Sequence, residues 1–389
     1  MILSHVSYLD CLAFLVFLAP QLLIQIGLIP LLTWLLPQLP SLVLVIPYQF
    51  IRERFLIPYE HRSPWVRKAT PFQDLVIRCV RYAFANMPAF LGRVFFSKQV
   101  SLPFLRFRML RHGFVTSPIR WVDIKRPNCK GVWIVHNQQE QPDVIVYYCH
   151  GGGFSMGSSY FYMEFLLAWV ALLKAAGYRN PALFALEYTL VPDATYPTQL
   201  SETVAGYEYV LSWAQSSTRI VVGGDSAGAT LMLSFLLHLS EHPELRHQKP
   251  GLAIMISPWV TILSRNNRNT ASDYLNSSSL ALYGRQYIGS KVSPDDPMVS
   301  PGNCKDIDKW AEASPDKGWY FLYGSEEVLG PETRNLIALL EKTGKQVDSW
   351  EEKGGIHAWP VASLYLGEDR ETRLAGLKSI VGAIQERIR

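Results

Sequence analysis

Charge is scarce in this sequence. Of its 389 residues only 18% are Asp, Glu, Lys or Arg, against about 25% in an average soluble domain, while 49% are hydrophobic. No dense Lys/Arg run is interleaved with aromatics and the formal net charge is only +4, so nucleic acid is not an expected partner. Paired cysteine is lacking too. Cys11, Cys79, Cys129, Cys149 and Cys304 are odd in number and scattered, with no C-x-x-C pair and no ligand-spaced Cys/His cluster. That pattern points away from a disulfide framework and a zinc site, and no metal or other cofactor is expected.

The missing charge is concentrated in one place. No charged residue occurs from Cys11 to Ile51, and the stretch from Leu12 to Leu36 reads LAFLVFLAPQLLIQIGLIPLLTWLL, longer than the roughly 20 apolar residues that span a bilayer. A cleaved signal peptide would have a basic start, a shorter apolar run and a small-residue cleavage site; here Asp10 precedes the run and the run continues too far. A buried core helix rarely lacks polar residues over such a length. Residues 1–51 are therefore read as a hydrophobic membrane anchor, one kinked span or a hairpin, with membrane lipid as its partner. Pro20, Pro30, Pro37, Pro40 and Pro47 each remove a backbone donor, which predicts a kinked span followed by a re-entrant or second short segment, SLVLVIPYQFI.

Arg52, Arg54, Arg62, Arg67 and Lys68 come directly after the anchor. On the positive-inside rule they place the rest of the chain in the cytoplasm, for a single crossing or a hairpin. Asn276-Ser277-Ser278 is an N-glycosylation acceptor pattern, meaningful only in the lumen. The face is thus left open, and the endoplasmic reticulum is the membrane expected. Residues 52–120 mix Phe, Leu and Met with arginines, as in amphipathic helices that lie at an interface or cap an active site.

From about Trp121 short apolar runs alternate with helix-period segments, the pattern of an α/β fold with a mostly parallel sheet wrapped by helices. Strands are expected at GVWIVHN from Gly131, VIVYYC from Val144, ALFALEY from Ala182, RIVVGG from Arg219, GLAIMIS from Gly251, WYFLYG from Trp319 and QVDSWEE from Gln346. Helices are expected over Phe161 to Ala176, Gln199 to Ala214, Ala227 to Ser240, Glu332 to Thr343, and from Arg370 to the end. Residues 121–389 form the catalytic domain, and 261–300, rich in Asn, Ser and Tyr, form a cap inserted into it.

Val221-Val222-Gly223-Gly224-Asp225-Ser226-Ala227-Gly228 runs from a strand through G-x-S-x-G into a helix. A serine on such a tight turn is lifted above the sheet as a nucleophile. A Gly/Ser-rich loop would match by chance, but three further features join it. His150-Gly151-Gly152-Gly153-Phe154 follows the VIVYYC strand and can aim its N–H groups, with that of Ala227, at one oxyanion. Ser325-Glu326-Glu327-Val328-Leu329 places carboxylates just past a late strand. Gly354-Gly355-Ile356-His357-Ala358-Trp359 sets a histidine in the loop after the next. The order Ser, acid, His follows, with His357 as general base; Glu326 and Glu327 are both available as the acid. His150 is read as bracing its turn.

Together these residues resemble the hormone-sensitive-lipase-like branch of the α/β-hydrolases, which includes arylacetamide deacetylase and fungal steryl acetyl hydrolases. The resemblance covers Asp143 to Trp359 and includes Glu187-Tyr188-Thr189-Leu190-Val191-Pro192, Ile256-Ser257-Pro258-Trp259 and Asp296-Pro297 with Ser300-Pro301. It implies an α/β-hydrolase fold, an oxyanion hole from Gly152, Gly153 and Ala227 with Gly151 shaping the turn, and Glu327 as the acid beside Ser226 and His357. Thr189 stands where the family usually has Arg.

The expected activity is that of a serine ester hydrolase, a deacylase working through an acyl-serine on an apolar, membrane-partitioning ester. The same chemistry would serve acyl transfer or lactone formation in secondary metabolism, or an amidase or formamidase. A non-catalytic ligand receptor of this fold, as gibberellin receptors are, would lack the histidine that His357 supplies.

Overall fold

The structure, a computed structural model, describes residues 1–388, the side chains of residues 243 and 246 excepted. Its centre is an eight-stranded sheet in the order β1-β2-β4-β3-β5-β6-β7-β8. The strands are β1 Arg120–Arg126, β2 Cys129–Val135, β3 Ile145–Cys149, β4 Ala182–Leu186, β5 Ile220–Asp225, β6 Leu252–Ile256, β7 Trp319–Gly324 and β8 Val347–Glu352. β2 runs antiparallel to β1 and β4, and the remaining pairs are parallel. All the strands expected from sequence are present. β1 is an addition: it is a half-exposed edge strand, RWVDIKR, too polar to read as a strand from its own composition.

β3, β5 and β6 are buried at every residue, because helices cover both faces of a parallel sheet. Neighbouring side chains point to opposite faces, so Tyr147 belongs to one core cluster and Tyr148 to the other. The first cluster takes in helices α9 (Thr198–Leu211), α10 (Ala227–Glu241) and α13 (Gly330–Glu341); the second takes in α8 (Met163–Ala175) and α15 (Arg370–Arg387). The last residue, 389, lies outside the described residues. The inserted segment 261–300 carries α11 (Ser277–Ile288), whose first turn is capped by the Asn276 side chain accepting from the N–H groups of Ser278 and Ser279. Short helices α12 (Ile307–Ala313) and α14 (Trp359–Leu366) complete the domain.

Before the sheet lie α1 (Tyr8–Gln25), α2 (Leu28–Pro40), α3 (Ile46–Ile51), α4 (Pro64–Lys68), α5 (Pro71–Asn86), α6 (Ala89–Phe95) and α7 (Lys98–Arg111). A π-turn at Ser41–Val45 joins α2 to α3 and a second at Arg52–Leu56 extends α3, making one continuous helix, Leu28–Leu56. The prolines therefore do not divide the segment as the sequence reading expects. Pro20, Pro37 and Pro40 sit inside helices. The widened turn at Ser41–Val45, with the Ile46 N–H donating to Ser41 O, directly precedes Pro47 and relieves the clash that its ring would make with the preceding turn. The break falls instead at Gly27, at φ +87°, and SLVLVIPYQFI is the middle of the second helix. By length and composition, Tyr8–Gln25 and Leu28–Leu56 could each cross a membrane.

A buried ion network fixes the start of α1. Arg108 is fully buried and pairs with Asp10 at 3.1 Å and with Glu164 of α8 at 2.8 Å, so α1, α7 and the sheet-covering layer are joined at one point.

Candidate active site

Ser226 sits between β5 and α10 with φ +52° and ψ −120°, a conformation that non-glycine residues seldom adopt. The turn is possible because Gly228 has no side chain: a Cβ there would come within 2.0 Å of Cys149 O. Phe154, Ser257 and Ala358 also have positive φ, and they flank the HGGG turn, the end of β6 and His357. The non-glycine residues with left-handed backbone thus gather around one point, as strain does where a site must be preorganised.

His357 and Ser226 line one cavity of about 640 Å³ together with Gly151, Gly152 and Gly153. The Nδ1 of His357 lies 3.3 Å from Oε2 of Glu327, and both residues are buried. Glu326 is placed elsewhere. It is half-buried, and its carboxylate accepts from its neighbour Ser325 at 3.4 Å. Successive residues leaving β7 diverge, and only one carboxylate reaches the imidazole.

The backbone N–H of Gly151 donates to Asp225 Oδ1 at 2.8 Å, whereas those of Gly152 and Gly153 donate to no acceptor within the described residues. Ala227 is the first residue of α10, where the N–H has no intrahelical partner. The three donors are therefore free for an anion. Gly152 adopts φ +109°, and a Cβ on it would meet Met156 O at 2.1 Å.

Two buried carboxylates that the sequence reading did not assign hold these loops in place. Asp225 accepts from Gly151 N–H and from the hydroxyls of Tyr148 and Tyr162, the hydroxyls each at 2.7 Å, tying the Ser226 turn to the HGGG turn. Asp273, from the cap segment, accepts from three backbone N–H groups: Tyr274 at 2.8 Å, Val328 at 2.8 Å and His357 at 3.0 Å. It ties the loop of Glu327 to the loop of His357. Arg81 of α5 in turn donates to the carbonyls of Ala271, Ser272 and Asp273. Nothing in residue spacing marks Asp273, because its partners are backbone groups of distant loops.

Asp273→Asn is consequently not conservative. An amide that keeps Oδ1 toward His357 must turn its NH₂ toward the Val328 N–H, donor against donor. We expect kcat to fall by about 10- to 100-fold with KM little changed, since loss of oriented hydrogen bonds typically costs about 1–3 kcal/mol. The pH limb of kcat/KM should move to lower pH, because the charge of Asp273 raises the His357 pKa. An unmoved pH profile would make the residue merely structural.

Burial pushes the Glu327 carboxyl up to about 8 and lowers the His357 imidazole. The form that can act as a general base is neutral His357 beside an ionised Glu327, and the pair reaches it by losing the proton that burial keeps on Glu327. Any ester turnover should therefore rise with pH, kcat/KM increasing from pH 6 through about 8. A pH-rate profile on a short aryl ester checks this, and a flat or falling profile over that window contradicts it.

His150 is fully buried, its Nδ1 is 2.7 Å from Gly151 O, and its ring stacks on Tyr188 at 4.5 Å. Thr189 donates through both its N–H and its hydroxyl to the Glu202 carboxylate, at 2.7 and 2.6 Å, so that carboxylate is satisfied without an arginine at this position. Among the described residues no group of three or more His, Cys, Asp or Glu is placed to hold a metal ion.

Comparison with known proteins agrees with this architecture. A family described as α/β hydrolase fold matches residues 146–361. An acetyl-hydrolase of Streptomyces hygroscopicus is 27% identical over 238 residues, 60% of this chain and 73% of that protein. Steryl acetyl hydrolase 1 of Saccharomyces cerevisiae is 25% identical over 269 residues, 62% of this chain and 60% of the yeast protein, less than two thirds of its length. Among solved structures, an esterase of the bacterial hormone-sensitive lipase family superposes with a TM-score of 0.62 at 22% identity, over 82% of this chain and 99% of its own. A hormone-sensitive lipase from a metagenome library gives 0.65 at 21%, over 82% and 98%. The chain belongs to the α/β-hydrolase fold family.

Proposed function

We propose that this protein is a serine carboxylic ester hydrolase, with Ser226 as nucleophile, His357 as general base, Glu327 as the acid that orients it, and the N–H groups of Gly152, Gly153 and Ala227 as the oxyanion hole. The observation that carries the reading is that His357, paired with Glu327 at 3.3 Å, shares one cavity with Ser226 and with the Gly152 and Gly153 amides, which have no partner among the described residues. The curated relatives, named as acetyl hydrolases, support an ester as substrate and acetate as the acyl group.

In the forward step Ser226 Oγ adds to the ester carbonyl as its proton passes to Nε2 of His357. The carbonyl oxygen becomes an oxyanion held by the three amides, and Glu327 stabilises the imidazolium. Collapse breaks the C–O bond to the alcohol, which leaves with the proton from His357. Water then adds to the acyl-serine by the same path and releases the acid. Each oxyanion donor contributes about 10²- to 10³-fold.

The substrate is read as apolar because the cavity wall beyond the catalytic residues is built of Phe14, Phe72, Val80, Phe84 and Phe104. Matched aryl acetates and aryl amides test the reading: the ester should be hydrolysed and the amide much more slowly. Preference for the amide would make the enzyme an amidase.

A further inference from the structure

The apolar N-terminal helices do not stand away from the catalytic domain as spans would. α1 lies along α6 and α7 for its whole length. Phe14 packs on Phe95 at 4.7 Å and on Phe104 at 5.1 Å, Phe17 meets Phe107 at 6.5 Å, and Leu18, Leu22 and Ile26 join Val94 and Val100 in one cluster. The second helix runs antiparallel along α5. The Trp34 indole donates to Asn86 O at 3.4 Å, Tyr82 donates to Gln38 at 2.5 Å, and Arg78 pairs with Glu53 at 2.8 Å.

Both ends of the hairpin are held. Val6 N–H donates to Tyr365 O at 2.7 Å and Arg108 donates to Ser4 O at 2.6 Å. At the other end Arg54 donates to Ala69 O at 2.8 Å. These contacts hold Ser4 and Arg54 on the side of the catalytic domain, which argues against a single crossing that would put them on opposite faces of a bilayer.

A double crossing fails for a different reason. To place the Gly27 turn across a hydrocarbon core of about 30 Å, α6 and α7 would have to enter it beside α1. Yet Arg93 and Lys98, next to the residues that pack on Ile26, are ion-paired to Asp193 and Asp123 of the catalytic domain, and charge at that depth is costly. The tip of the hairpin therefore stays at the level of the domain surface.

Its outer face is nonetheless apolar. Leu12, Val16, Ile24, Ile29, Leu36 and Leu44 are each more than half exposed, in a stretch with no charge from Cys11 to Ile51, and the exposed cations Arg52, Arg67 and Lys68 come where the chain leaves it. Such a face bordered by cations suits acyl chains beneath a headgroup layer. The Ser226 cavity opens onto this surface: its lining extends to Tyr8 and Leu15 of α1, 66% and 56% exposed.

We propose that the α1–α2 hairpin lies within one leaflet of a phospholipid bilayer as a collar around the mouth of the Ser226 cavity, so that the ester enters from the lipid without the chain crossing the membrane. The entry route rests on the ester-hydrolase reading; the pose of the hairpin does not.

Two experiments on the full chain separate them. In sealed microsomes, Gln25→Cys at the tip is probed with an impermeant polyethylene-glycol maleimide outside or trapped inside, and read as one mass shift beyond the parent. The expected result is no added shift from either side until detergent opens the bilayer. Labelling from the face opposite the catalytic domain would overturn the pose.

The second compares turnover of a long-chain alkyl acetate dissolved in phosphatidylcholine/phosphatidylserine vesicles with that of a short soluble aryl acetate, for the parent and for Ile24→Glu/Ile29→Glu. The variant should lose tenfold or more on the vesicle ester and keep the parent rate on the soluble one, which also shows that it is folded. An unchanged ratio of the two rates would overturn the entry route. A parent inactive on both esters would end the hydrolase reading and with it the route, while the maleimide result still decides the pose.

Discussion

Ser226→Ala is expected to lower kcat on a short aryl acetate by about 10⁴-fold or more while leaving KM within a few-fold. The size follows from the division of labour at the site. Without Oγ no acyl-serine forms, and the oxyanion amides and His357 can assist only the direct attack of water, which retains a small part of the acceleration. The fold should survive, because Ser226 owes its φ of +52° to the β5–α10 turn and to its backbone bonds, the N–H to Ile256 O at 3.0 Å and the carbonyl to Trp259 N–H at 3.2 Å, none of which involves the hydroxyl. Stopped assays over a long time course with matched thermal unfolding check this. Turnover within tenfold of the parent would show that the serine is not the nucleophile.

The second large effect separates two adjacent carboxylates. Glu327→Gln should cost about 10³- to 10⁴-fold in kcat, since an amide neither fixes the imidazole tautomer nor stabilises the imidazolium, and among the described residues no other side chain is within ion-pair distance of His357. The change is isosteric and leaves a neutral group in a buried place, so the fold should be kept. Glu326→Gln should stay within about threefold of the parent. Equal losses, or a larger loss at Glu326, would reassign the acid.

The residues of this site that could be read from sequence are those whose local backbone needs a particular residue type. The G-x-S-x-G turn requires Gly228 because Cys149 O lies where its Cβ would be, and the HGGG turn requires Gly152 for a similar reason. Both constraints are local and therefore legible, as are strands β3, β5 and β6, whose unbroken apolar runs follow from burial on both faces. What could not be read depends on contacts between distant segments. Asp273 works through backbone amides of Val328 and His357, which leave no mark on spacing. β1 is strand only because β2 offers it a ladder. The prolines of the first fifty residues mark possible breaks, yet the break falls at Gly27, and the π-turn at Ser41–Val45 accommodates the ring of Pro47.

The buried ion network at α1 bears on function through the same geometry. Asp10, Arg108 and Glu164 hold the apolar helix against the layer that carries the cavity, so the exposed apolar face of α1 and the cavity wall belong to one structure.

The proposed chemistry is covalent, and the acyl-enzyme itself can be trapped. The protein is mixed with an isotopically labelled aryl acetate, quenched in acid within the first turnovers, digested and examined by mass spectrometry. The account predicts a labelled acetyl group on Ser226, absent in Ser226→Ala and persisting longer in Glu327→Gln. Sustained hydrolysis with no acetyl on Ser226, or with the label on another side chain, would contradict it.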